Sequence, residues 1–163
     1  SLALGSNLGE KEETLVRAIG DICSHDKIVL RKISPMAITE AVGGPVDQPD
    51  FLNLVVEIQT DLSPFDLLRF CQSVESKHHR VREVRWGPRT LDIDIIEYGS
   101  LEMDEPDLTL PHPLAAERAF VLEPWARMDP AAQLEGQLVS KLAEQADDFD
   151  GIIEFRDAPV VCA

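Results

Sequence analysis

Several things are missing from this sequence, and each absence excludes something. No apolar run approaches the ~18 residues that a membrane-spanning helix needs, and the N-terminal residues do not follow the charged-then-apolar pattern of a secretory leader. No GxxxxGK[ST] occurs, so a bound nucleotide has to be held without a phosphate loop. Basic residues are scarce, with fifteen Lys and Arg against thirty Asp and Glu and a formal charge of −15. That balance disfavours nucleic acid or an anionic membrane as partner. Only three cysteines are present, Cys23, Cys71 and Cys162, odd in number and far apart. They do not form a disulfide framework. Reduced thiols in apolar helical patterns, and hence a cytoplasmic location, are expected.

What is present fits one α+β domain of 163 residues with a core of ordinary size. The few cations are concentrated: Lys77, Arg80, Arg82, Arg85 and Arg89 fall within thirteen residues that hold one acid, Glu83. Directly after them comes Leu91-Asp92-Ile93-Asp94-Ile95-Ile96. In a strand, alternate side chains share a face, so Asp92 and Asp94 point one way while Leu91, Ile93 and Ile95 enter a core. Carboxylates beside arginines suit a magnesium–phosphate group, because hard oxygen donors hold Mg²⁺ and guanidinium forks hold phosphate.

Taken in order, residues 1–4 read as a short strand and Gly5-Ser6-Asn7-Leu8-Gly9 as a turn. Residues 10–23 follow as a helix with Leu15, Ala18, Ile19 and Ile22 on its apolar stripe. Residues 27–38 are extended and interrupted at Pro35, as an edge or bulged strand would be. The stretch 39–50 is a long loop of the kind that is usually functional. Residues 51–58 form a strand that puts Leu52, Leu54, Val56 and Ile58 into the core and leaves Phe51 and Asn53 together on the other face. An aromatic ring beside an amide can stack on and hydrogen-bond a flat heterocycle, although a strand end meeting a loop has the same composition. Ser63 at an N-cap and Pro64 at the first helical position start a helix running to about His79. His78 and His79 read as an exposed helix end.

Residues 80–90 form a second long loop, 91–98 a strand, and 108–110 a short extended piece. His112 stands between two prolines that fix its backbone. Residues 114–127 read as a helix with Arg118 and Phe120 near its start. The tail contributes a helix around 138–146 and a strand at 152–155, with no chemistry of its own. Strand, helix, strand, strand, helix, strand is the ferredoxin-like βαββαβ order: an antiparallel sheet with helices packed on one face, the other face free to form a cleft, and an appended C-terminal segment. The domain core is taken as 1–126 and the appended segment as 127–163.

The residues Ala3-Leu4-Gly5-Ser6-Asn7-Leu8-Gly9, Gln48-Pro49-Asp50-Phe51-Leu52-Asn53, Arg85-Trp86-Gly87-Pro88-Arg89-Thr90-Leu91-Asp92-Ile93-Asp94 and Leu110-Pro111-His112-Pro113 resemble the 6-hydroxymethyl-7,8-dihydropterin pyrophosphokinase family as far as about Pro124. The resemblance implies transfer of pyrophosphate from ATP to the pterin alcohol in folate biosynthesis, with AMP as the other product. It implies two Mg²⁺ ions on Asp92 and Asp94, and the pterin held by Phe51 and Phe120 with Asn53, Thr39, Val42 and Arg118. It places ATP against Gln72, Glu75, Ile95, Leu108, Thr109 and His112, and Arg80, Arg82, Trp86 and Arg89 on a catalytic loop. Its partners are then two small molecules, with no nucleic acid or membrane, and the chain acts as a monomer. The alternative is a non-catalytic ferredoxin-like module that binds nucleotide or pterin. Glu83, Asp107 and Pro113 depart from the family's usual residue types, and the first strand is shorter than usual.

Overall fold

The structure, a computed structural model, describes residues 1–7, 11–39, 50–81 and 91–161. Its elements in chain order are β1 (Leu2–Ser6), α1 (Lys11–Cys23), β2 (Ile28–Ile33), β3 (Met36–Thr39), β4 (Phe51–Thr60), α2 (Pro64–Val81) and β5 (Leu91–Ile95). There follow β6 (Met103–Asp104), β7 (Thr109–Leu110), α3 (Ala119–Met128), β8 (Gln133–Leu134), β9 (Gln137–Leu138), α4 (Val139–Gln145) and β10 (Ile152–Arg156). The main sheet runs β10-β3-β4-β1-β5, with β2 also paired to β4, and every pairing in it is antiparallel. Counting β2 and β3 as one broken strand, this is the ferredoxin-like order anticipated from the sequence.

The break has a local cause. Proline has no N–H to give to a ladder, and at Ser34-Pro35 the ladder is patched by a side chain. Ser34 donates its backbone N–H to the Val55 carbonyl at 2.9 Å, and its Oγ accepts the Val55 N–H at 2.8 Å. The long strand β4 is therefore paired along its first half with β3 and along its second half with β2. Of the two halves of the broken strand only β2 is left as an edge, because β10 pairs with the outer side of β3.

One sheet face carries Leu2, Leu4, Leu52, Leu54, Val56, Leu91, Ile93 and Ile95 against Leu15, Ala18, Ile19 and Ile22 of α1 and Leu67, Cys71 and Val74 of α2. Fully burying an aliphatic side chain of this size contributes roughly 1.5–3 kcal/mol, so this face dominates the core. Helix α2 begins as its sequence dictates, with Ser63 Oγ accepting the Asp66 N–H at 3.2 Å. Its far end is tied down rather than free. His78, with a side chain only 12% exposed, and Lys77 both bond Asp21 of α1, at 2.9 and 3.0 Å. The expectation of an exposed pair of histidines is thus wrong for His78, because α1 supplies a carboxylate that sequence spacing could not reveal.

The opposite face is not left open along its whole length. Ala3 and Val55 of the sheet and Ile96 pack against Val121, Leu122, Trp125 and Ala126 of α3 and Val139 and Ala143 of α4. These two helices cover part of that face, and the cleft lies beside α3. Two boundaries also move. Gly5 and Ser6 belong to β1, not to a turn, since Gly5 pairs with both Asn53 and Asp92. The stretch 114–127 is not one helix: a short 3₁₀ turn at Ala115–Glu117 ends at Arg118, whose extended backbone (φ −111°, ψ 102°) precedes α3.

Candidate active site

A cavity of about 460 Å³ opens on this face of the sheet beside α3. Its floor is made by sheet register. Asp92, Gly5 and Asn53 stand side by side across β5, β1 and β4, and Asp94 and Ala3 form the next row. Phe51 faces it from the start of β4, Thr39 from the end of β3, and Arg118 and Phe120 from the entry to α3. The small residues Ala3 and Gly5 in the centre give the floor its depth. At Gly5 even one carbon would be too much: a Cβ there would meet Asn53 Oδ1 at 2.4 Å. The Asn53 carboxamide, in a residue only 8% exposed, therefore lies across the glycine.

Two chemistries meet in this cavity. Phe51, Phe120 and the Asn53 amide offer two half-buried rings and a hydrogen-bonding edge, the set that suits a flat polar heterocycle. On the other side Asp92 and Asp94 share the upper face of β5, while Leu91, Ile93 and Ile95 are buried beneath, as the alternation predicts. The Asp94 side chain is 44% exposed and stands 3.8 Å from the Arg118 guanidinium, which also lies 5.8 Å from the Phe120 ring centroid. With Asp148 there are three aspartates to one arginine among the described lining residues. A triphosphate would be repelled from such a site unless cations came with it.

The donor set fits Mg²⁺ on that ground. Among the described residues no cluster of three or more His, Cys, Asp or Glu side chains forms a complete cage. Mg²⁺ typically takes one or two carboxylates and completes its shell from water and substrate phosphates, so two aspartates on an open wall are the appropriate protein contribution.

The candidates on the nucleotide side are arranged differently. Ile95 and Leu108 are buried members of the main core cluster. Gln72 is exposed and Thr109 half-buried. Glu75 is engaged with the protein itself: its Oε2 accepts the Ile93 N–H at 2.9 Å and holds the outer edge of β5. His112 donates its backbone N–H to the Ile96 carbonyl at 2.7 Å, and its Nδ1 accepts the Leu114 N–H at 3.1 Å. With Nδ1 so occupied, the proton of the neutral ring sits on Nε2. Burial lowers the His112 pKa; Asp94 opposes that shift and Arg118 adds to it. None of these residues lines the cavity that holds Phe51 and Asn53. Val42, Arg82, Trp86 and Arg89 lie outside the described residues, as do Cys162 and the side chain of Arg80.

Several contributors escape the sequence reading, Gly5, Asp148 and Gly151 among them: Gly5 falls in an expected turn, Asp148 and Gly151 fall in a tail without evident chemistry, and all three line the cavity. A glycine inside an apolar strand was a usable signal for Gly5. Nothing local marks Asp148, which reaches the site only through tertiary packing. Buried Cys71, by contrast, is as expected: a free thiol whose pKa is pushed up to about 12, by burial first and then by Glu75 and Asp94.

Comparison with known proteins gives the site its context. The family model for 7,8-dihydro-6-hydroxymethylpterin-pyrophosphokinase matches residues 1–130. The 2-amino-4-hydroxy-6-hydroxymethyldihydropteridine pyrophosphokinase of Bacillus subtilis is 41% identical over 144 residues, covering 88% of this chain and 84% of that protein. The protein of the same name from Pseudomonas aeruginosa is 41% identical over 152 residues, covering 93% of each. A bifunctional protein, FolKE, of Lactococcus lactis is 45% identical over 123 residues, which are 76% of this chain and 35% of that one. The chain belongs to the 7,8-dihydro-6-hydroxymethylpterin-pyrophosphokinase family, a family of ATP-dependent enzymes.

Proposed function

We propose that this chain transfers the pyrophosphoryl group of ATP to the hydroxymethyl oxygen of 6-hydroxymethyl-7,8-dihydropterin, releasing AMP and the pterin diphosphate in folate biosynthesis. The observation that supports this most directly is the shared cavity, which has Phe51, Phe120 and Asn53 on one side and Asp92 and Asp94 on the other. An acceptor stacked on the rings would then share one cavity with the two aspartates.

In this reading Phe51 and Phe120 stack on the two faces of the pterin, and Asn53, with Thr39 and Val42, reads its hydrogen-bonding edge. Asp92 and Asp94 would hold two Mg²⁺ ions, which would supply charge neutralisation at the phosphates. Arg118 supplies positive charge at the junction of acceptor and phosphates. His112, neutral and protonated on Nε2, donates a hydrogen bond to the nucleotide without adding charge. Arg80, Arg82, Arg89 and Trp86 are assigned to closure over the bound phosphates and exclusion of water. Catalysis rests chiefly on alignment, since a well-oriented pair of reactants needs little covalent help. No general base is assigned. The chain acts as one domain and as a monomer, and a buried thiol such as Cys71 suits the reducing cytoplasm.

The deciding experiment incubates the protein with ATP, Mg²⁺ and the pterin alcohol and separates the nucleotide products. Pterin-dependent AMP is expected. ADP, or no pterin-dependent product, overturns the assignment.

A further inference from the structure

We propose that Asp148, in the segment beyond residues 1–130 that match the family, is a positioning residue for the acceptor pocket; the inference rests on the pterin reading of that pocket. Helix α3 opens with N–H groups that have no partner within the helix. Its N-cap residue, Arg118, makes no side-chain capping bond. The Ala119 N–H is met instead by Asp148 Oδ1 at 2.9 Å, from 29 residues away in sequence. Ala119 is flanked directly by Arg118 and Phe120, which line the cavity together with Val121 of the same helix. One hydrogen bond therefore fixes the backbone between the charged contact and the aromatic contact. A carboxylate is well suited to the task, because the start of a helix carries partial positive charge.

Asp148 is itself held on both flanks. Its carbonyl accepts the Gly151 N–H at 2.9 Å, closing a tight turn, and the Phe149 N–H bonds the Ala146 carbonyl at 3.1 Å. Immediately after that turn Ile152 pairs with Thr39 at the cavity rim. Before it, α4 packs through Val139 and Ala143 into the cluster that contains Leu122 and Trp125 of α3. The turn is thus clamped between the strand carrying Thr39 and the helix carrying Phe120, and both Asp148 and Gly151 line the cavity. The appended segment completes a wall of the acceptor pocket and sets the registration of its aromatic side.

The test compares D148A with D148N in the full chain, because asparagine keeps an oxygen that can accept the Ala119 N–H while losing the charge. In D148A the KM for the pterin should rise about fivefold, the scale of one lost capping hydrogen bond, while kcat and the KM for ATP stay within about twofold. D148N should stay close to wild type. A second readout needs no turnover: amide hydrogen exchange across residues 118–122 should quicken in D148A and remain slow in D148N. Unchanged exchange and pterin KM in D148A, or a D148N as impaired as D148A, overturns the proposal. Absence of pterin-dependent AMP from the wild-type protein would overturn the reading of the pocket, and the exchange measurement would still decide whether Asp148 positions α3.

Discussion

Replacing Gly5 by alanine separates recognition from folding unusually well. The added Cβ would stand 2.4 Å from Asn53 Oδ1 and 3.5 Å from its Cγ, and the nearest backbone atom outside the strand's own neighbours, the Leu52 carbonyl, is 4.0 Å away. Only the carboxamide has to yield. To reach ordinary contact at 3.4 Å or more it must shift by about 1 Å, the difference from 2.4 Å. A displacement of that size takes the amide out of register with a bound heterocycle and leaves one or two hydrogen bonds unmade, at about 1–3 kcal/mol. The KM for the pterin should rise about 5- to 150-fold. The KM for ATP should hardly move. The fold should be little affected, because removing a glycine restricts the unfolded chain and contributes roughly 0.4–1 kcal/mol of stability against the strain of moving Asn53. Steady-state kinetics with each substrate varied in turn, together with urea unfolding, reads all three quantities. An unchanged pterin KM would show that Asn53 does not read the acceptor. Equal losses for both substrates would show that Gly5 matters to the sheet rather than to the pocket.

Asp94→Ala should abolish turnover while shifting the unfolding midpoint little, since the side chain is 44% exposed and its Arg118 contact is a loose 3.8 Å; near-normal turnover at saturating Mg²⁺ would remove Asp94 from the metal site. Glu75→Ala should cost about 1 kcal/mol by stripping the Ile93 N–H of its acceptor, and Glu75→Gln should restore most of that. If both variants instead raise the KM for ATP equally, Glu75 belongs to the nucleotide site. For Asp21, burial alone would raise the pKa, but hydrogen bonds from Lys77 and His78 and their charges outweigh it, and the net shift is downward from 3.8. The stabilisation this gives is complete above the unfolded value and is lost as pH falls below it through the folded value. The gap in urea midpoint between wild type and Asp21→Asn should therefore be constant above about pH 5 and narrow as the pH falls from there past 3.8 and through the lower folded value. A constant gap would mean that the Asp21 charge has no part in holding the end of α2.

The appended segment does more than stabilise the domain. Here β10 extends the sheet beside β3, α4 braces α3, and the turn between them reaches the cavity. Truncation after the family match would remove a wall of the pocket as well as a part of the core.

Strict alternation in Leu91-Asp92-Ile93-Asp94-Ile95 was enough to place the two aspartates on one face, because a strand has a period of two whatever surrounds it. The same rule joined Phe51 to Asn53, and Ser63-Pro64 fixed the start of α2 through local capping alone. The order of elements, with the quoted motifs, pointed to the topology and the family. These are short-range properties, carried by neighbours in the chain. Tertiary structure decided the rest. It carried Gly5 on through the central strand beneath Asn53, broke the helix at Arg118, engaged Glu75 with the edge of β5 and His78 with Asp21, and brought Asp148 from the tail to the head of α3. Each of these is a contact between residues far apart in sequence, and a pattern read along the chain carries no information about which distant carboxylate or amide will meet a given N–H.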